Sequence, residues 1–335
     1  MPDPALSVTG LRKFFTVNRG FPRPKTVTVR ALDGVSFHVG EGEAFGLVGE
    51  SGCGKSTAGR AILRLIEPDE GEIAFKGENV LSAPRSRLRV LRRKLQIIFQ
   101  DPYASLNPRR RVGQALMEPM RVHGIAGAAE CEARAHALLA EVGLPANAML
   151  RYPHEFSGGQ RQRVGIARAL TVEPELLIAD EPVSALDISI QSQILLLLQR
   201  LQASRKLAFI FISHDLGVVR YFCQRMAVMY LGRIVETGPI PAIFDEPLHP
   251  YTRMLRDASP VPDPKVKVVM LRIEGEVPSA VNPPAGCHFH PRCPRVMPVC
   301  REAYPAWREM GGGRGVACHL HTNQEGTCSH PTIAS

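Results

Sequence analysis

The chain alternates short apolar runs with longer segments in which apolar residues recur every three or four positions. The short runs have the length of strands and carry no charge, which is typical of strands buried on both faces of a sheet. The longer segments have the period of amphipathic helices. This order of elements predicts an α/β domain with a mostly parallel core sheet. The predicted strands are Ala44–Val48, Leu95–Phe99, Leu176–Ala179 and Leu207–Ile212, and the predicted helices are Thr57–Ile66, Glu130–Val142 and Ile188–Arg205.

A different pattern precedes the first buried run. The segments Thr26–Leu32 and Val35–Val39 alternate apolar and polar residues, and they flank Asp33-Gly34, a dipeptide typical of two-residue hairpin turns. Together with the strand-like start of the chain at Leu6–Phe15, they predict a small antiparallel β-subdomain whose hairpin turn lies at Asp33-Gly34. A second turn is predicted at Gly40–Glu43.

The stretch GESGCGKST joins the first buried strand to the first predicted helix. It fits the pattern G-x-x-x-x-G-K-[ST], which is typical of loops that cradle phosphates. Glycines let the backbone N–H groups turn inward around phosphate oxygens, and the lysine and serine can reach the β- and γ-phosphates and Mg²⁺. The sequence therefore predicts that this loop binds a nucleoside triphosphate. The residues assigned to it are Gly49, Ser51, Gly52, Cys53, Gly54, Lys55, Ser56 and Thr57.

Polar residues follow three of the later predicted strands. Asp180, at a strand end downstream of a phosphate loop, is the expected partner of Ser56 in holding Mg²⁺. Glu181 beside it can polarise a water molecule as a general base. His214 can donate to a γ-phosphate, and Gln100 can ligate Mg²⁺ or orient a water molecule. These residues are the candidate catalytic and metal-binding groups.

Two further segments are candidate nucleotide contacts. Ser157–Gln160 precedes a helical run that ends at Leu170. A serine and two glycines ahead of a helix make an N-terminus that is receptive to anions. Near the start of the chain, Phe14 or Phe15 could stack on an adenine, or could serve simply in packing.

The composition changes at about Ser259, where the proline-rich joints SPVPDP and EVPSAVNPPAG begin. We interpret residues 1–258 as the nucleotide-binding domain and residues 259–335 as a C-terminal extension. No window reaches the roughly 18 apolar residues that span a bilayer, and the N-terminus lacks the pattern of a secretory signal, so we expect the chain in the cytosol. The net charge of +9 permits contact with nucleic acid without requiring it.

Five of the eight cysteines lie in the extension, and four of them, Cys287, Cys293, Cys300 and Cys318, have the spacing C-x5-C-x6-C-x17-C. In a cytosolic protein, clustered cysteines favour a metal over disulfides. Structural zinc sites usually begin with two cysteines about two to four residues apart, which this spacing does not fit. An iron–sulfur cluster, zinc and unligated thiols remain open, and Cys328 is a possible fifth thiol.

Cys53 lies inside the phosphate loop, at a helix N-terminus and close to Lys55. Both features lower the pKa of a thiol. We therefore expect a reactive cysteine whose alkylation blocks nucleotide binding. The alternative is a small residue that merely fits the loop.

Taken in order, these motifs resemble those of the ATP-binding subunits of ABC transporters, over nearly the whole chain. The stretches FQDPYASLNPR, RYPHEFSGGQRQR, ADEPVSALDISIQ, FISHDL and HPYT are similar, more narrowly, to the dipeptide/oligopeptide permease subgroup and to its F-type ATPase subunit. That subgroup also has a cysteine-containing extension. The family's glutamine loop corresponds to Gln100, its signature to Ser157–Arg161, its acidic pair to Asp180 and Glu181, the following loop to Ser184–Asp187, and its switch histidine to His214.

The resemblance implies an ATPase that closes head to tail with a second, paralogous ATPase subunit around two ATP molecules. Mg²⁺ would be held through Ser56, Gln100 and Asp180, with Glu181 as general base and His214 on the γ-phosphate. Ser157 and Gly159 would touch the γ-phosphate that the partner holds, and Phe15 would stack on adenine. The nucleotide contacts beyond the phosphate loop would be Phe15, Ser157, Gly158, Gly159, Gln160 and Asp187.

The same resemblance implies two transmembrane permease subunits that dock in the region after Gln100, an extracytoplasmic peptide-binding protein, and a peripheral location on the cytoplasmic face of the inner membrane. It implies a [4Fe–4S] cluster on Cys287, Cys293, Cys300 and Cys318, and no nucleic acid partner. Relatives with similar ATPases import nickel, glutathione or sugars, so the cargo stays open. A soluble ABC ATPase that acts on nucleic acid or ribosomes is the competing hypothesis. A binding-only regulatory subunit is disfavoured by the intact Glu181 and His214.

Overall fold

The computed structural model describes residues 4–19, 25–101, 106–258 and 278–321. Within these ranges the strands form one sheet of four strands and one of eight. The strands are β1 (Leu6–Arg19), β2 (Lys25–Val39), β3 (Ala44–Val48), β4 (Glu70–Phe75), β5 (Glu78–Asn79), β6 (Leu95–Ile98), β7 (Leu176–Asp180), β8 (Ala208–Ser213), β9 (Arg225–Tyr230), β10 (Arg233–Pro239), β11 (Arg308–Gly311) and β12 (Arg314–Val316). The α-helices are α1 (Lys55–Ile62), α2 (Arg85–Lys94), α3 (Val112–Val122), α4 (Ala128–Glu141), α5 (Gly158–Leu170), α6 (Ile188–Arg205), α7 (Leu216–Phe222), α8 (Ile240–Asp245), α9 (Pro250–Ala258) and α10 (Val299–Glu302).

The larger sheet forms the core and has the order β11-β12-β10-β9-β3-β8-β7-β6. The five strands from β9 to β6 pair in parallel, whereas β10, β12 and β11 are added antiparallel at one edge. Every residue of β3, β7 and β8 is buried, as their uninterrupted apolar sequences require. The predicted α/β fold with a mostly parallel core sheet is confirmed.

The smaller sheet, with the order β2-β1-β4-β5, is the predicted antiparallel β-subdomain. The predicted position of its hairpin turn was wrong. Asp33 pairs with Arg12 and Val35 pairs with Leu11, so Gly34 is an extra residue inside β2 with a φ of +87°. A glycine at positive φ fits such a β-bulge as well as it fits a turn. The connection between β1 and β2 passes through residues 20–24, which lie outside the described part of the chain.

A helical subdomain made of α3, α4 and α5 lies beside the larger sheet. Its interior is formed by side chains that recur with a helical period, among them Leu116 and Met120 of α3 and Cys131, Ala135 and Leu139 of α4. The last helix, α5, contacts both of the others and also β6. It therefore joins the helical subdomain to the core sheet, and it begins at the predicted signature sequence.

Residues 278–321 pack against the domain that carries the core sheet. The hairpin of β11 and β12 extends this sheet, because Val316 of β12 pairs with Glu236 of β10. The ring of Phe289 is buried against Tyr230 and Tyr251. Residues 259–277, which connect the two predicted domains, lie outside the described residues, and the division at residue 258 stays a prediction. Across the described ranges, no helix is both long enough and apolar enough to cross a membrane.

Candidate nucleotide site

The phosphate loop leaves β3 at the carboxyl edge of the core sheet and ends at α1. Backbone contacts explain two of its glycines. A Cβ at Gly49, where φ is +156°, would lie 2.1 Å from the carbonyl oxygen of Met229. A Cβ at Gly54, where φ is +107°, would lie 2.1 Å from the carbonyl oxygen of Ala31. Because these neighbours are backbone atoms, only glycine fits at either position.

Lys55 lies inside the loop with 4% of its surface exposed. Its Nζ donates hydrogen bonds to the carbonyl oxygens of Gly49, at 2.8 Å, and of Glu50, at 2.9 Å. The ammonium is thus held in the concavity of the loop, next to the N-terminus of α1. An anion bound there would meet both the lysine charge and the positive end of the helix dipole.

Cys53 lies in a buried environment, although its neighbours in sequence predict a thiol of low pKa. Its Sγ lies 3.8 Å from Lys55 Nζ, but only 4% of the residue is exposed. Burial raises the pKa of the thiol above its ordinary value of 9.0, and the charge of Lys55 opposes this only in part. The expectation of a low thiol pKa was wrong because the cost of desolvating a thiolate is the larger effect. The contacts favour the alternative of a small residue that fits the loop.

Ser56 and Asp180 meet between the phosphate loop and the end of β7. The Ser56 Oγ donates to the Asp180 Oδ1 at 2.7 Å. Burial raises the pKa of this carboxyl group, and the hydrogen bond from Ser56 opposes the rise. A hydroxyl and a carboxylate side by side supply the oxygen ligands that Mg²⁺ prefers, so these residues fit the ion that a nucleoside triphosphate carries.

Glu181 brings together the three predicted catalytic side chains. It follows β7 directly with a φ of +45°, and its N–H donates to the carbonyl oxygen of Ile212 in β8 at 3.0 Å. One carboxylate oxygen accepts from Gln100 Nε2 at 2.9 Å, and the other lies 3.3 Å from His214 Nδ1. The Glu181 side chain is 11% exposed and that of His214 is 53% exposed. The site is therefore open to a ligand on the histidine side.

The signature sequence forms the capped start of α5. The Oγ of Ser157 accepts from the N–H of Gln160 at 3.4 Å, and the Gln160 Oε1 accepts from the N–H of Ser157 at 3.1 Å. This reciprocal arrangement is a capping box. It fixes the direction of the helix N-terminus while Gly158 and Gly159 form the first turn.

The structure gives the positions of the remaining predicted nucleotide contacts, and their roles stay predictions. Ser51 and Gly52 are exposed in the loop, and Thr57 is half-buried in the first turn of α1. Phe15 is half-buried in β1, with Lys13 Nζ 5.6 Å from the centre of its ring. The exposed Asp187 stands at the N-cap of α6.

Sequence reasoning missed how firmly Glu50, inside the phosphate loop, is held. Its N–H donates to the hydroxyl of Tyr251 at 2.9 Å. Its carboxylate accepts two hydrogen bonds from Arg292, at 2.8 and 2.9 Å. The only sequence feature that pointed to these contacts of Glu50 was the HPYT stretch, which contains Tyr251. Nothing in the sequence connects Arg292 with a loop 242 positions away.

Two family models match this chain. The model described as ABC transporter covers residues 32–184, and the one described as the C-terminal region of oligopeptide/dipeptide transporters covers residues 235–300. The oligopeptide transport ATP-binding protein AppF of Bacillus subtilis (strain 168) is 48% identical over 320 residues, which are 95% of this chain and 97% of AppF. The chain belongs to the dipeptide/oligopeptide permease family of ABC transporter ATP-binding subunits. It is accordingly an ABC ATPase.

Solved structures of other ABC ATPases have the same fold. One is cbiO1 from Clostridium perfringens, described as part of the ABC transporter complex cbiONQ, with a TM-score of 0.61 and 29% identity over 73% of this chain and 92% of cbiO1. Another is the dimeric ABC transporter cassette MJ0796, with a TM-score of 0.62 and 28% identity over 70% of this chain and 98% of that one. Both support the assignment of the core to an ABC cassette.

Cys287, Cys293, Cys300 and Cys318 of this ABC ATPase are free thiols. The N–H of Cys287 donates to the carbonyl oxygen of Cys300 at 2.8 Å. Burial raises the pKa of Cys287 and of Cys318 to about 11, and repulsion by the other cysteines adds to the rise. Among the described residues, no three His, Cys, Asp or Glu side chains surround a point that could hold a single metal ion. Cys328 lies outside those residues.

The two signature glycines give a matched pair of substitutions. A Cβ at Gly159 would lie 2.5 Å from Ile190 Cγ2, whereas at Gly158 the nearest atom, Leu186 Cδ2, would be 3.4 Å away. We expect Gly159→Ala to lower the free energy of unfolding by about 1–3 kcal/mol, because the branched Ile190 must move. Gly158→Ala, the control, should change it by less than about 0.5 kcal/mol. Urea titrations followed by circular dichroism measure both, and equal effects would contradict the steric argument.

Proposed function

We propose that this chain is the ATP-hydrolysing subunit that energises import of di- or oligopeptides through a membrane ABC transporter. The observation that carries the proposal is the convergence of the phosphate loop, Asp180, Glu181 and His214 at one sheet edge, in a chain that also has the oligopeptide transporter C-terminal region. The name of AppF, which states oligopeptide transport, supports the cargo class.

The geometry supports a hydrolysis-competent half-site. Lys55 and the loop N–H groups would bind the β- and γ-phosphates. Ser56, Asp180 and Gln100 would hold Mg²⁺, which when bound supplies positive charge to those phosphates. Glu181 would accept a proton from the attacking water as its oxygen bonds to the γ-phosphorus and ADP leaves. His214, next to Glu181 and half-exposed, would donate to a γ-phosphate oxygen.

We infer that the second half of each site comes from another ATPase subunit. Ser157 and Gly159 contribute to the capped N-terminus of α5, which is suited to an anion, and Asp187 is exposed at the neighbouring start of α6. In a head-to-tail pair these residues would contact the nucleotide held by the partner's phosphate loop. The dimeric state described for MJ0796 supports such an arrangement. We propose a paralogous chain as the partner.

We also propose where the two permease subunits dock. A cleft of about 200 Å³ lies between the segment after α1, α2, β6 and α5. Its lining includes Ile97, Ile98 and Phe99 together with Arg92 and Arg168. A short cytoplasmic helix of a permease would dock in the region after Gln100, next to this cleft; residues 102–105 of that region lie outside the described part of the chain. We propose accordingly that the chain lies on the cytoplasmic face of the inner membrane and that a peptide-binding protein serves the transporter on the other side.

For the extension, we propose a [4Fe–4S] cluster on Cys287, Cys293, Cys300 and Cys318. A single zinc ion would draw its sulfur ligands to within about 2.3 Å of one point, whereas a four-iron cluster binds each thiolate through a different iron. The support from this chain is that the charges of Cys287, Cys293 and Cys300 all act on the Cys318 thiol, so the four thiols lie in one neighbourhood. When bound, the cluster would supply a covalent tie among four segments of a small, proline-rich unit.

Co-purification tests the transport function. The tagged chain, extracted from its native membranes in mild detergent, should bring down two polytopic membrane proteins and a second ATPase chain, identified by mass spectrometry. An attached binding protein would show the cargo class by its ligand. Recovery only from the soluble fraction, alone or with ribosomes or nucleic acid, would contradict the proposal.

The role of Glu181 is tested by Glu181→Gln. Because a general base typically contributes a factor of about 10²–10⁴, we expect kcat for ATP hydrolysis to fall at least about 100-fold while the KM for ATP changes little. Glu302→Gln, at an exposed position on α10, is the matched control and should keep the full rate. Full turnover by Glu181→Gln would exclude it as the base.

Metal analysis tests the cluster. The chain purified under anaerobic conditions should contain about four iron atoms and four acid-labile sulfides. Cys287→Ser should lose most of both, whereas Cys131→Ala, in the helical subdomain, should keep them. Zinc in place of iron, or a full-length chain that holds neither metal, would contradict this assignment.

A further inference from the structure

Arg292 connects the cysteine-containing extension to the phosphate loop. It lies at the end of a short 3₁₀ turn, His290–Arg292, between Cys287 and Cys293. Its Nη1 is 2.8 Å from Glu50 Oε2 and its Nη2 is 2.9 Å from Glu50 Oε1. The Arg292 side chain is 3% exposed and that of Glu50 is 22% exposed. This bidentate ion pair is largely shielded from water. It therefore differs from a surface ion pair, which contributes little to the stability of a protein.

Aromatic contacts hold the arginine in place. Phe289, three residues earlier, packs edge-on against Tyr230 with ring centres 5.3 Å apart and lies 5.4 Å from the ring of Tyr251. The hydroxyl of Tyr251 accepts the N–H of Glu50 at 2.9 Å. The extension therefore holds Glu50 through its side chain while α9 holds the same residue through its backbone.

The charge of Glu50 matters because of its position. Its carboxylate belongs to the phosphate loop, and its negative charge acts on Cys53, whose Sγ lies 3.8 Å from Lys55 Nζ. Without a partner, this carboxylate would repel a bound triphosphate. The guanidinium of Arg292 removes that repulsion.

We propose that Arg292 is a positioning residue of the ATP site, which acts through Glu50 by neutralising a negative charge in the phosphate loop that would otherwise repel a triphosphate. The C-terminal extension thereby sets the ATP affinity of the cassette. This inference rests on the proposed binding of ATP at the phosphate loop.

A double-mutant cycle on the full-length chain tests it, with a fluorescent ATP analogue and Mg²⁺ as the probe. Arg292→Gln should raise the Kd about tenfold, because it leaves Glu50 charged and unpaired. Glu50→Gln should bind as tightly as the wild type or several-fold tighter, and Glu50→Gln/Arg292→Gln should return to within about twofold of the wild type. Arg292→Lys, which keeps the charge and loses the bidentate geometry, should be intermediate. Arg301→Gln, at an exposed site in the same extension, is the matched control.

The single tryptophan, Trp307, shows whether the extension keeps its fold. Its indole donates to Glu309 at 2.8 Å and lies against Gly315, so its emission reports on the β11–β12 hairpin.

The expected result is an unchanged emission maximum with weaker nucleotide binding by Arg292→Gln. Wild-type affinity in Arg292→Gln, or a double variant as weak as the single one, would overturn the inference. Glu50→Gln covers the case in which Arg292→Gln misfolds, since a tenfold loss of affinity in Glu50→Gln would also overturn it. A wild-type chain without ATP binding would overturn the proposed nucleotide site itself.

Discussion

The parallel register of three strands is the constraint on which the site depends. Val48 of β3 lies beside Ser213 of β8, and Ile212 of β8 lies beside Asp180 of β7. The three strands therefore end at the same level of the sheet, and the residues that follow each strand lie in the site. The hydrogen bond from the N–H of Glu181 to Ile212 continues this ladder one residue past β7. A slip of two residues in β7 would part Ser56 from Asp180 and Glu181 from His214.

Much of this arrangement could be predicted because its determinants are local. A strand buried on both faces must be apolar throughout, and a helix on its surface must repeat every three to four residues, so β3 and α6 appear in the structure with their predicted bounds. The phosphate loop has a fixed spacing because its glycines touch backbone atoms of Met229 and Ala31. Once the strands are parallel, polar residues at their carboxyl ends must meet at one edge.

The two wrong predictions concern residues whose tertiary contacts outweigh the preference of the local sequence. Asp33-Gly34 has the composition of a turn, but Asp33 is buried and accepts two hydrogen bonds from Arg233, and the long pairing of β1 with β2 continues past it. Cys53 stands next to a cation along the chain, yet the packing around the loop excludes water, and desolvation raises the thiol pKa. In both cases the neighbours in sequence were identified correctly, and the neighbours in space decided the outcome.

The C-terminal extension is the part least accessible from sequence, because its contacts with the phosphate loop are all long-range. The β9–β10 hairpin explains how one small unit reaches that loop. On one side, β12 pairs with β10. On the other, Tyr230 at the end of β9 packs against Phe289, and Gly232 in the turn lies against the backbone of β2 beside the phosphate loop. The N–H of Arg30 in β2 also donates to the carbonyl oxygen of Ala280. Extension, β-subdomain and phosphate loop therefore share one wall, and a displacement of the extension would be transmitted to the loop through packed atoms.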